Sequence, residues 1–327
     1  MKTSRNLTRL FVALAALIAL CAVSFAQVPA AGVQVSDQKA GALLVFPFYG
    51  NDGAGGDTRL TLTNVGPANA AISNNLNVHL FFLDGSCAQA DVYLCFTKYQ
   101  SYSFKASEWD PVTARGELLA VAVDNMGNPI PYNGLIGNAF VNTTVGGAKW
   151  VGNYSPEAFT AVGNAPLVNN GTQAALDLNN APLLGGVGYD AAAGGFAAEF
   201  QSPVDVKNQA ILTVGMNGVV GLTLNGNAAT GIAAIYRNDE KIFSYSMPGV
   251  GCSALTLIND ATIRIVGGLS NSIGSGKTGT AIWNVTGAVG LFVTPVQANN
   301  ASQGIRTLHK TKAGIGRLTI PVFMPIC

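Results

Sequence analysis

Asp57–Gln100 reads DTRLTLTNVGPANAAISNNLNVHLFFLDGSCAQADVYLCFTKYQ, and this stretch decides the fold. Leu60 and Leu62 alternate with Arg59, Thr61 and Thr63, the period-two pattern of a half-buried strand. Asn64-Val65-Gly66-Pro67 then breaks it, since proline supplies no amide donor and glycine accepts turn angles. The run Val78–Leu83 (VHLFFL) is nearly all apolar and too short for an ordinary helix. Asp84-Gly85 ends it with turn chemistry, and Cys87 and Cys95 bracket the next excursion of the chain. An antiparallel β-sandwich is written this way.

Working outward, the chain begins with an address. Lys2, Arg5 and Arg9 precede an apolar Leu10–Leu20, and Ser24-Phe25-Ala26 offers small residues for cleavage. Residues 1–26 therefore read as a secretory signal peptide, with an apolar run too short to span a bilayer comfortably. Residues 27–41 read as a mobile leader. Strand patterning at Leu43–Phe46, Tyr99–Lys105, Leu118–Val123 and Phe140–Val145 fills an N-terminal sandwich over residues 42–150. Ser155-Pro156-Glu157 has the residues of a helix start, and the Asn-, Gly- and Ala-rich chain beyond has little periodicity. Residues 151–205 thus read as an irregular connection with a short helix. Strand signals resume at Ala210–Val214 and recur through Leu318–Met324, giving a C-terminal sandwich over 206–327. The halves echo each other, as Ser101–Phe104 (SYSF) does Ser244–Met247 (SYSM). The expectation is an all-β chain of two sandwich-like units in tandem.

Composition narrows the partners. Without Lys2, Arg5 and Arg9, 15 basic side chains face 17 acidic ones, a net charge of about −2. That balance carries no footprint for nucleic acid or anionic membrane. Charged residues are 11% of the chain, against roughly 25% in ordinary soluble domains. After cleavage Cys87, Cys95, Cys252 and Cys327 remain, an even number that favours disulfides in an exported protein. Three connectivities exist, and local pairing, Cys87–Cys95 with Cys252–Cys327, is the economical one.

Gly41–Pro47 (GALLVFP), Thr58–Asn64 (TRLTLTN), Leu83–Cys87 (LDGSC), Leu119–Asp124 (LAVAVD) and Asn133–Gly137 (NGLIG) carry a resemblance. Over roughly residues 40–140 the chain resembles a set of secreted bacterial proteins without assigned function. The resemblance implies export and a β-sandwich, and it brings no catalytic residues.

Candidate chemistry is sparse. Asp52 and Asp57 flank a glycine-rich turn (DGAGGD) that offers two carboxylates where calcium wants six to eight oxygens. Glu108 and Asp110 flank Trp109, an arrangement able to line a sugar cleft or to end a strand. Gly274–Thr278 (GSGKT) ends like a phosphate-binding loop, but Asn271 stands where its first glycine belongs. Neither a Gly-x-Ser-x-Gly elbow nor a His-Glu-x-x-His helix occurs, and His79 inside its apolar run reads as a structural hydrogen-bonder. The expectation is an exported, non-enzymatic structural or adhesive protein of the periplasm, envelope or cell surface, with no cofactor. The alternative is an extracellular module for glycan or another ligand, with Glu108, Trp109 and Asp110 as contacts and Asp52 and Asp57 as a weak cation site. With so few charges, Thr58–Asn64 or Ala210–Val214 could form an open edge for self-association.

Overall fold

The computed structural model describes residues 39–66, 75–109, 114–162, 171–180, 186–225, 232–246, 250–259, 263, 265, 267–299 and 302–325. The chain divides into two compact units, Met1–Ser36 and Asp37–Cys327. The expected signal peptide and most of the expected leader lie outside the described residues. Every described strand belongs to the second unit.

The central layer is an antiparallel sheet in the order β4 (Gln89–Thr97), β3 (Asn75–Leu83), β6 (Arg115–Val123), β1 (Leu43–Gly50), β9 (Glu157–Phe159). β1 is buried along its whole length, and β3 and β6 at every position but the first. Strands covered on both faces have no polar side to write, so they read as unbroken apolar runs. That explains Val78–Leu83.

On one face of this layer lies a second antiparallel sheet, β5 (Ser101–Lys105), β2 (Asp57–Asn64), β7 (Leu135–Val145), β8 (Ala148–Tyr154). Edge-on rings join the two, Phe82 to Phe104 and Phe46 to Tyr154. β1 also touches β13 (Ala210–Gly215) and β19 (Thr278–Thr294), which belong to the C-terminal half. One apolar core therefore runs from Leu43 and Phe81 through Leu212 and Val289 to Leu318. The two expected sandwich units share this core.

The C-terminal half supplies two further sheets. One has the order β11 (Gly186–Tyr189), β10 (Gln173–Leu178), β22 (Gly316–Pro321), β14 (Asn217–Val219), β15 (Thr223–Asn225). Its β10–β11 and β14–β22 pairs are parallel, departing from the all-antiparallel expectation. The other runs β17 (Ile242–Ser246), β16 (Ile232–Arg237), β19, β12 (Ala193–Gln201), β21 (His309–Ala313). β13 pairs β19 and β18 (Ala254–Leu257), and β20 (Gly304–Thr307) pairs β19. This sheet holds its own small core, with Phe196, Phe200, Ile235 and Trp283 packed with Leu269 and Ile273. Leu269 begins the one-turn helix α2 (Leu269–Ser272); α1 is the equally short Ala106–Trp109.

Four expectations need correction. Residues 151–205 carry most of β8 and all of β9, β10, β11 and β12, and Glu157–Phe159 is strand where a helix start was read. Ala158 and Phe159 are buried beside Leu44 and Leu43 on β1, and that burial outweighs the local capping signal. Neither expected edge is open: β2 lies between β5 and β7, and β13 between β18 and β19. Cys87 does not pair with Cys95, nor Cys252 with Cys327.

The bridge instead joins Cys87 to Cys252, with Cα atoms 5.4 Å apart and a sequence separation of 165. The reason is the secondary structure of the intervening chain. Cys87 sits in the turn from Asp84 to Ala88, and Cys95 lies well along extended β4. The six extended steps from Gln89 to Cys95 alone cover about 20 Å, several times what a disulfide spans. Cys95 is itself disulfide-bonded. The Tyr93 hydroxyl donates to the Phe323 carbonyl at 2.7 Å, so Phe323 lies against β4, while Cys327 lies outside the described residues. Peptide mapping without reductant should therefore recover Cys87–Cys252 and Cys95–Cys327. A Cys87–Cys95 peptide would refute the register of the β3–β4 hairpin.

Candidate functional site

The residues singled out in sequence mostly have local duties. Asp52 Oδ1 accepts the amides of Ala54 at 3.0 Å and Gly56 at 2.8 Å, and Oδ2 accepts that of Thr144 at 3.0 Å. These bonds hold its carboxyl below the usual range and brace the glycine-rich turn against β7. Asp57 accepts from the Thr58 amide at 2.7 Å and from the Ser107 hydroxyl. Among the described residues no group of three or more His, Cys, Asp or Glu could hold a metal ion. Glu108 accepts the Lys105 amide at 3.0 Å, which ties the start of α1. Trp109 is half-buried against the core, its ring 5.7 Å from Phe104. Asp110 lies outside the described residues. The Gly274–Thr278 loop gives its Gly276 amide and Ser275 hydroxyl to Asp205. A carboxylate thus already occupies donors that a phosphate would need.

Two ionisable groups sit inside the central layer. His79 is fully buried, with Nε2 2.9 Å from Asp91 Oδ2 and its ring stacked on Tyr93 at 4.1 Å. Burial pushes its pKa down, against the opposing pull of Asp91. Glu117 on β6 is fully buried as well, opposite Leu83. Neither of its carboxyl oxygens has a hydrogen-bond partner. Burial pushes the carboxyl well above its usual range, and the nearby Ser253 amide only partly offsets this. Burial therefore favours the protonated, neutral form of Glu117. No local sequence signal marks it, since a charged residue before an apolar run normally reads as a solvated strand end.

The most unusual surface is the outer face of the β17–β16–β19–β12 wall. Strand register places Ile242, Tyr236, Thr280 and Glu199 in one row across four strands. The next row carries Ser244, Ala234, Ile282 and Ala197. Phe243, Tyr245, Ile235 and Trp283 point the other way into the small core. Tyr236 is 43% exposed, Ile242 61% and Ile282 40%. Three large apolar side chains thus meet water on adjacent strands. The row ends at β17, which pairs on one side only among the described residues. Sequence reading found these strands but not their outward apolar face, because alternation does not say which face is covered.

No family model matches the chain, and no curated protein does. Among solved structures, the crystal structure of Thermotoga maritima 1070 is similar over 36% of this chain and 95% of that one. The identity is 9% and the TM-score 0.28, so the likeness carries no argument.

Proposed function

We propose that the protein is an exported, non-enzymatic structural or adhesive component of the cell surface or envelope that associates with copies of itself. The observation that carries this reading is the Tyr236, Ile242 and Ile282 patch running to the β17 edge. An edge strand presents unpaired backbone groups, and an apolar side chain on such an edge invites pairing. Edges of this kind are normally guarded by lysine; here Lys241 stands just before β17 and the exposed Ile242 is the first residue of the strand itself. The Cys87–Cys252 bridge is at home in an oxidising compartment, and no described helix is long and apolar enough to cross a membrane.

Sedimentation across a concentration series tests the reading. Wild-type protein should shift to larger species as concentration rises. Ile242→Lys should weaken that association about tenfold or more, since burying one isoleucine contributes about 1.5–3 kcal/mol. A wild-type protein that stays strictly monomeric at every concentration sinks the proposal.

A further inference from the structure

A cavity of about 380 Å³ opens where the central layer meets the C-terminal half. Phe48 of β1, Leu212 of β13 and Leu255 of β18 give it an apolar wall. Arg115, Asp84 and Ser253 give it a polar rim. Such a mixture, apolar walls with a few convergent polar groups, is what small-molecule sites generally show.

The rim charges are the informative part. Asp84 and Arg115 have opposite sign and line the same space, yet they make no ion pair with each other. Among the described residues Arg115 has no ion-pair partner of any kind. Asp84 Oδ1 accepts the amides of Ser86 at 2.8 Å and Ala88 at 2.9 Å. These bonds hold its carboxyl below the usual range despite the opposing effect of burial, so it stays ionised. Two residues beyond Arg115 on the same strand, and so on the same face, the fully buried Glu117 has no hydrogen-bond partner.

A purely apolar guest would desolvate both rim charges without pairing either. A simple anion would pair Arg115 and be repelled by Asp84. A guest with both charges and an apolar body can pair both rim charges and rest on the apolar wall. The walls are paired strands, and Cys252 of the interhalf bridge is next to Ser253, so the cavity is largely pre-formed.

We propose that this cavity binds a small apolar zwitterion, a short peptide of apolar residues, with its carboxylate on Arg115 and its ammonium at Asp84. The guest's side chains rest on Phe48, Leu212 and Leu255. This site is separate from the β16–β17 patch and stands independently of self-association.

Calorimetric titration with leucyl-leucine tests it, alongside the N-acetylated and C-amidated forms of the same peptide. The expected result is a Kd of millimolar order or tighter for the free peptide. Capping either end should weaken binding about tenfold, because each cap removes one charge-assisted contact. Arg115→Gln should lose the binding at an unchanged melting temperature, and Arg115→Lys should keep part of it. Leu255→Arg, placed on the partly exposed wall, should block the cavity and serves as a second variant should Arg115→Gln unfold. Absence of binding at about 10 mM peptide overturns the proposal. So does equal binding of the capped forms, or full affinity in both Arg115→Gln and Leu255→Arg.

Discussion

Glu117→Gln should make the protein more stable, and increasingly so as pH rises. The folded carboxyl has a raised pKa, so the folded state holds a proton that the unfolded chain gives up near pH 4.5. Below that pH both states are protonated and Glu117 costs nothing extra. Above it the wild type loses about 1.4 kcal/mol per pH unit until the folded carboxyl itself ionises. Glutamine has nearly the same shape and no proton to lose, so its curve lacks this slope. His79 works in the opposite sense: its folded pKa is lowered, so its contribution is intact above about pH 6.5 and lost as pH falls below that. Urea denaturation from pH 6.5 to 9 therefore isolates Glu117. Parallel curves for wild type and variant would show that the carboxyl is solvated and that its burial is misread.

The second large effect belongs to the bridge. Replacing Cys87 and Cys252 together with serine frees a loop closed across 165 residues. The chain-entropy relation puts the loss at about 5 kcal/mol, with strain or residual structure in the unfolded chain reducing it. The two sulfurs also accept the Leu224 amide at 3.3 and 3.2 Å, so the variant disturbs the middle of β15 as well. A thermal melt should fall by about 8–10 °C for a loss of that size in a folded unit this long. An unchanged melt would mean that the shared core alone holds the halves together.

What could be read in the sequence came from local chemistry. Asp84-Gly85 and Asp124–Gly127 are turns, and Gly127 has the left-handed φ of 84° that its place in the turn demands. Val78–Leu83 is a strand buried on both sides, as its apolar run implies. The misreadings share one cause, the loss of information about what lies across the fold. Cys87 finds Cys252 because hairpin β3–β4 carries Cys95 away, a matter of strand length rather than of spacing. Ser155-Pro156-Glu157 has the chemistry of a helix start, yet Phe159 is drawn into the sheet by the wall formed from Leu43 and Leu44. Trp109 stands between two acids in sequence and leans on Phe104 in space. Arg115, Glu117 and Tyr236 needed the fold to be seen, since their interest lies in the neighbours they lack.

The position of β22 has a consequence for how the molecule is made. This strand, close to the C-terminus, lies in the middle of its sheet between β10 and β14 and contributes Leu318 and Ile320 to the shared core. A chain delivered from its N-terminus can pair β1, β3 and β6 early. The strands that roof the other face of that layer arrive long afterwards, and β22 is the last of the described strands. Until then a broad apolar face stands open to water and to other chains. The very surface that makes the finished protein rigid is thus a hazard during delivery, and safe completion depends on the last strand reaching its slot before a neighbour does.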